Sequence, residues 1–297
     1  MEKTNRVLEK ISIIIPTCTG LNCLSKIIFN IIDLNYQNFE IIIADNSPFI
    51  TTSFPSYLKN RLIKYIKSTP YSKTMAINNA VKTATGIFLL FLDSDVLVKD
   101  KNVLMKLVNE IKKNERTCFS IKFKNIDNKY EGLGGKLFIP SREFKNIFFK
   151  KNQGNKDLLD YPQGFAFFLK KEIWDKIGGY DELIPFGCEE LDIGFKLKLE
   201  KVRCILFKKT DFIDLGVPQG KSLNTSNDYF SGPQKNSLMI YGKWYFIKKY
   251  YSKFDFILVI SALFFFQMFL SLKKSIIHKN TNYIKQFFLT YFNIIFK

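Results

Sequence analysis

Two aspartates separated by one serine, Asp93 and Asp95, interrupt the apolar run FLLFLDSDVLV at residues 88–98. Two adjacent glutamates, Glu189 and Glu190, lie in a second acidic stretch, GGYDELIPFGCEELDIGFKLK, at residues 178–198. An unpaired buried carboxylate is costly, so it normally finds a cation or becomes neutral. Asp93 and Asp95 must therefore sit just past the end of a strand or share a positive partner. On a helix, neighbouring Glu189 and Glu190 point about 100° apart. One could face a cleft as a proton acceptor while the other holds a neighbour. A plainer role also exists for these acids, since anions are favoured in the first turn of a helix. Asp192 and Lys196 would likewise make an ordinary i,i+4 pair.

The elements that must position these groups follow from the apolar pattern. ISIIIP (residues 11–16), FEIIIA (39–44), a shorter run at 61–66 and FLLFL (88–92) read as strands. Their unbroken apolar character suits strands covered on both faces of a parallel sheet. Helical spacing at 21–34 and 73–85 separates them, giving the alternation of a doubly wound α/β sheet. Ligands bind such sheets at the carboxyl ends of the strands. Here those ends carry Pro16-Thr17, Asp45-Asn46-Ser47 and Asp93-Ser94-Asp95. Ala76, Ala80 and Ala84 form a small stripe that lets the second helix lie close to the sheet. Asn78 and Asn79 are poor helix-interior residues and call for partners. Farther on, a helix is expected at 102–114, a strand at 117–124, a loose basic section at 131–156, and a helix at 188–201.

The 297 residues suffice for one large domain with an appendage. A net charge of +18 suits nucleic acid, anionic lipid or a phosphate-rich substrate without choosing among them. Five cysteines without metal-type spacing read as reduced thiols. The first ten residues lack an apolar core, so no signal peptide is expected.

Taken in order, IIIPT, FEIIIADNS, AINNAVKTATGIFLLFLDSD, YPQGFAFFLKKEIWDKIGGYDELIPFGCEELDIGFKLK and DFIDLGVPQGKS resemble the family 2 glycosyltransferases of the GT-A fold. The likeness spans roughly residues 10–222 and is nearest the rhamnosyltransferase-like, bacterial surface-polysaccharide type. It implies an inverting, metal-dependent hexosyl transfer from a nucleotide-sugar to a glycan or lipid-linked oligosaccharide. By the same resemblance Pro16, Thr17, Asp45, Asn78 and Asp93 would bind the nucleotide-sugar. Asp95 would hold a divalent cation, Mn²⁺ or Mg²⁺, with Asp214 standing where the family often has histidine. Glu190 would be the general base, and Glu189 its partner in the acidic motif. Hard oxygen ligands suit such ions, and an attacking hydroxyl needs a positioned carboxylate. The chain departs from the family at Ser72 for glycine, Ile77 for arginine and Glu190 for aspartate. Lys73 would be the substitute cation for the arginine that the resemblance implies.

Residues 1–230 are thus expected to form the catalytic domain, with a nucleotide-sugar half (1–98) and an acceptor half (99–230). Residues 231–297 form a basic, apolar helical region. Its run FDFILVISALFFFQMFLSL (254–272) is about as long as the shortest spanning helices. Lysines at both ends disfavour a single span. The expectation is interfacial or re-entrant helices on the anionic, cytoplasmic face of the cell membrane. The alternative is a helical subdomain packed on the catalytic core. No nucleic-acid partner is expected, because no recognised motif accompanies the basic residues. A sugar nucleotidyltransferase is the competing enzyme class, but TCTGLNCLSK (17–26) lacks the Gly-rich basic loop such enzymes carry. A non-catalytic basic binding protein with a degenerate site is the remaining alternative.

Overall fold

The computed structural model describes residues 8–18, 24–47, 55–68, 72–124, 127, 130–132, 134–137, 139–141, 157–164, 166–184, 187–214 and 233–295. Most of the basic section at 131–156 and the Leu215-Gly216 pair lie outside the described residues.

β1 (Ile11–Thr17) and β2 (Phe39–Asp45) are buried along their whole length. They pair in parallel with each other, and β1 pairs in parallel with β4 (Phe88–Leu92). β3 (Ile63–Lys67) extends this parallel side. The path continues β3-β2-β1-β4-β9-β6-β10-β5, so the sheet is mixed beyond β4. There β9 (Ala166–Lys170) runs antiparallel to both β4 and β6 (Thr117–Lys124). β10 (Arg203–Asp214) runs parallel to β6 and antiparallel to β5 (Val96–Val98). Two short strands, β7 (Tyr130–Gly132) and β8 (Leu158–Leu159), pair with β6 and β10.

Helices cover both faces, which explains the continuous apolar strands. On one face lie α1 (Ser25–Ile32) and α3 (Val103–Ile111), on the other α2 (Lys73–Lys82), α4 (Lys171–Ile177) and α5 (Glu189–Leu199). Ala76 and Ala80 are fully buried against the sheet, as their small-residue stripe implied. Cys18, Cys118, Cys188 and Cys204 are all free thiols.

Three further helices follow: α6 (Pro233–Tyr250), α7 (Lys253–Ile277) and α8 (Asn282–Ile295). α6 shares a core with α5, where Phe195 stacks on Tyr250 at 4.4 Å and meets Phe246 edge-on. The buried carboxylate of Asp192 accepts from Lys249 (2.8 Å) and Tyr250 (2.6 Å) and pairs with Lys196 (3.1 Å). Asp255, at the start of α7, accepts from the Ser141 amide and hydroxyl, both at 2.8 Å. Packing of the helical region on the core is therefore observed. It leaves an outer band of α7 and α8 uncovered, including Phe265, Phe269, Ile276 and Phe292.

At the amino ends of the strands, Glu40 ties the sheet together. Its Oε1 accepts from Ser12 (2.7 Å) and from the Thr85 amide (2.7 Å) and hydroxyl (2.8 Å). Lys64 lies 2.8 Å from Oε2. Burial alone would raise its pKa, but Lys64 and the Ser12 and Thr85 donors outweigh burial and lower it to about 2. A lowered folded-state pKa stabilises above the ordinary value of 4.5 and loses that contribution as pH falls toward 2. Glu40→Gln should therefore cost about 2 kcal/mol at pH 7. Denaturant titrations should show this gap to wild type closing between about pH 4.5 and 2.

Candidate active site

The carboxyl ends of β1, β2 and β4 converge, as the strand register requires. Thr17 is opposite Asp45, and the Asn46 amide donates to the Thr17 carbonyl at 3.0 Å. Asp45 is fully buried and engaged on both oxygens. Oδ1 accepts from the Ser47 amide (2.7 Å), and Oδ2 from Tyr65 (2.8 Å) and Lys67 (3.1 Å). Tyr65 and Lys67 thus belong to this corner, although the sequence marked Tyr65 only as part of the third strand and ended that strand before Lys67.

β4 stops at Leu92, and Asp93-Ser94-Asp95 forms the turn into β5, with the Val96 amide donating to the Asp93 carbonyl at 3.2 Å. The buried-strand paradox of residues 88–98 resolves here, because both aspartates lie past the strand end and are half-buried. β10 returns antiparallel along β5 and places the Asp214 backbone opposite Val96, beside Asp95. Two residues separated by more than a hundred positions are so brought to one sheet edge. Carboxylate oxygen is the donor type that a hard divalent ion takes, usually from one or two carboxylates plus substrate phosphates. Among the described residues no group of three or more His, Cys, Asp or Glu forms a ready protein cage.

α2 supplies the cation. Ser72 caps its start by accepting from the Met75 amide at 3.2 Å. Lys73 then reaches Asp93 Oδ1 at 3.2 Å and Glu189 Oε1 at 4.0 Å. Burial alone would depress the lysine, but Asp93, then Glu189 and Glu190, raise its pKa well above the ordinary value. Ile77, where arginine was absent, is buried in the core beneath the site. Lys73 therefore provides the positive charge, from one turn earlier.

Asn78 is spent on a loop. Its amide nitrogen donates to the Tyr180 carbonyl (3.0 Å) and Glu182 (3.0 Å), and its oxygen accepts from the Tyr180 amide (3.0 Å). Gly179 makes this possible: its φ is +63°, and a Cβ there would lie 2.7 Å from Asn78 Oδ1. The two asparagines' need for partners is met, since Asn79 bonds Ser68 at 3.1 Å.

Glu189 and Glu190 open α5 and have different surroundings. Glu189 is buried and accepts from the Gly187 amide, holding the turn into its own helix. Glu190 lies across Gly164, where a Cβ would be 1.8 Å from Oε1. No side chain fits at residue 164 unless the glutamate moves. Burial, then Glu189, raise the pKa of Glu190 to about 8, opposed in part by Lys73. The buried Tyr180 phenol is pushed upward by burial and by the same acids. A carboxylate with so high a pKa, in a cleft beside a lysine and a second acid, is suited to accepting a proton. Sequence reading assigned no part to Gly164; a lone glycine just before a strand signals close backbone approach.

A family model described as Glycosyl transferase family 2 matches residues 12–177, more than half of the chain. The O-antigen biosynthesis protein RfbC of Myxococcus xanthus is 22% identical over 70% of this chain, which spans only 17% of that protein. WfgD of Escherichia coli, a UDP-Glc:alpha-D-GlcNAc-diphosphoundecaprenol beta-1,3-glucosyltransferase, is 23% identical over 67% of this chain and 81% of its own length. The crystal structure of GalNAc-T7 with UDP, GalNAc and Mn²⁺ superimposes at a TM-score of 0.55 and 18% identity, covering 81% of this chain and 50% of that one.

The ion cluster can be tested without any substrate. Lys73→Met strands Asp93, Glu189 and Glu190 without their shared cation, and should destabilise by about 3 kcal/mol at pH 8. Thermal unfolding should show the penalty shrinking as acidification protonates the three carboxylates.

Proposed function

Because the chain belongs to glycosyltransferase family 2, we propose that it transfers a sugar with inversion from a nucleoside diphosphate donor to a lipid-linked glycan. The observation that carries this reading is Glu190, drawn over Gly164 with a raised pKa, facing the Lys73–Asp93 pair. The donor would lie across the carboxyl ends of β1, β2 and β4, with Pro16, Thr17, Asp45 and Asp93 at the nucleoside. Asn78 would act on the donor by fixing the Tyr180 loop. A divalent cation, held by Asp95 and Asp214, would neutralise charge on the departing diphosphate.

The rest of the step falls to this chain's own groups. Glu190 takes the proton from the acceptor hydroxyl, whose oxygen forms its bond to the anomeric carbon. The bond from that carbon to the diphosphate oxygen breaks on the opposite side, so the configuration inverts. Lys73, no longer needed by the acids alone, offers its ammonium to the leaving phosphate. Glu189 keeps the start of α5 in place.

The acceptor side supports a membrane location. α7 is a 25-residue helix whose most apolar 18 residues have a mean hydropathy of 2.1, long enough to cross a bilayer. Yet Phe256, Val259 and Leu263 pack into the core shared with α5 and α6. A perpendicular span would drag that core into lipid. We therefore read α7 and α8 as lying on the cytoplasmic leaflet, with Phe265 and Phe269 inward and Lys253, Lys273 and Lys279 meeting anionic headgroups. The diphosphoundecaprenol acceptor of WfgD supplies the reason for such docking.

Asp95→Ala should abolish cation-dependent hydrolysis of nucleotide-sugars, with donors screened in Mn²⁺ and in Mg²⁺. Glu190→Gln should keep donor binding and lose transfer by on the order of 10²–10⁴-fold, and Gly164→Ala should lower kcat about a hundredfold. The base must be deprotonated to act, so kcat/KM should fall as pH drops through the raised pKa near 8. An acid limb at ordinary carboxylate values, or an active Glu190→Gln, would displace Glu190 from this role.

Membrane docking is read separately by co-sedimentation with phosphatidylglycerol vesicles. Phe265→Asp with Phe269→Asp should weaken it on the order of a hundredfold without lowering the melting temperature, both side chains being exposed. Undiminished binding would refute this docking face.

A further inference from the structure

Between α6 and α8 runs a groove of about 670 Å³, within the size range of small-molecule sites. Leu238, Tyr241, Trp244 and Tyr245 on α6 line one side, with Thr290 and Asn293 on α8 opposite. The α6 residues recur at helical spacing, so the groove follows the helix axis. Its walls differ in character along the way. Near one end the Ser237 and Thr290 hydroxyls bond at 2.6 Å. At the other, the Lys248 ammonium sits 4.6 Å above the Trp244 ring.

Two observations give this groove a direction. Lys249, beside Lys248, bonds Asp181 (2.6 Å) and Asp192 (2.8 Å), and Tyr245 also reaches Asp181. Asp181 follows the Tyr180 that Asn78 clamps, and Asp192 is two residues from Glu190 on α5. The lysine end therefore abuts α5, which carries the proposed base, and the loop that Asn78 clamps. Along α8, Thr290 and Asn293 alternate with exposed Leu289 and Phe292, so the α8 wall of the groove borders the uncovered apolar band. An aromatic wall bordered by that band, with an ammonium at the end nearer Glu190, complements an amphiphile with an anionic head.

We propose that the α6–α8 groove binds the phosphate-proximal part of a prenyl-type lipid diphosphate. The first isoprenoid units would lie on Tyr241 and Trp244, and the phosphate on Lys248. The site would draw an acceptor from the leaflet and present its sugar to Glu190. This deepens the lipid-linked acceptor reading above and rests on it.

The probe is farnesyl diphosphate, titrated into full-length protein in EDTA, so that no cation site competes. Equilibrium binding is measured for wild type, Lys248→Glu and the groove-filling Asn293→Trp, with melting temperatures confirming that each folds. Losing one charge-assisted contact or blocking the groove should weaken binding about tenfold, while cation-dependent donor hydrolysis stays unchanged. Binding that is absent in wild type, or equal in all three proteins, overturns the proposal. So does competition by inorganic diphosphate as strong as by farnesyl diphosphate, which marks a simple anion site, or equal affinity for farnesol, which marks an unspecific apolar one. Donor hydrolysis failing in wild type would instead overturn the transferase reading and leave the groove result to stand on its own.

Discussion

Everything at the carboxyl end of this sheet answers to one electrostatic constraint: several carboxylates must share a cleft with little water to separate them. Asp93 comes from the turn after β4, Glu189 and Glu190 from the start of α5, and all three lie around the Lys73 ammonium of α2. Burial, then the neighbouring Glu189, raise the pKa of Glu190 to about 8, with Lys73 opposing them in part. Under the proposed function, added positive charge would relieve the crowding of these acids. Its raised pKa gives Glu190 the basicity that proton removal at neutral pH calls for.

The rest of the molecule holds that cluster in place. The parallel core of β3, β2, β1 and β4 aligns the strand ends, and α2 delivers Lys73 over them. β10 folds back along β5 to bring the Asp214 backbone beside the Asp93–Asp95 turn. Gly164 leaves the space that Glu190 occupies, and Gly179 lets Asn78 close on the loop behind it. At the other end of the strands, Glu40 has a full set of donors and sits at a pKa of about 2. The contrast between Glu40 and Glu190 shows how the surroundings drive two buried acids to opposite pKa values.

Much of this was legible in the sequence. Unbroken Ile and Leu runs ending in polar residues marked the parallel strands and the edge where their polar ends converge. Spacing put the acidic pairs at a turn and at a helix start. Less legible was what depends on contacts between distant segments. The antiparallel insertion of β9 beside β4 leaves no local trace, and so the sheet is more mixed than alternation suggested. The Tyr65 and Lys67 bonds to Asp45 depend on neighbouring strands, not on spacing. The packing of α6 was obscured because aromatic and lysine side chains occur all round it, one face meeting α5 and another lining the groove. The sequence set membrane helices against a packed subdomain as alternatives. In the structure the packed face and the uncovered apolar band belong to the same two helices.

The most direct test of this account is a crystal structure with Mn²⁺ and a nucleoside diphosphate bound. The account predicts a single Mn²⁺ anomalous peak in ligation distance of the Asp95 and Asp214 carboxylates. Lys73 should then lie against the diphosphate, and Glu190 should remain over Gly164, clear of the metal. A Mn²⁺ ion ligated by Glu189 or Glu190, or a nucleotide bound away from the ends of β1, β2 and β4, would contradict it.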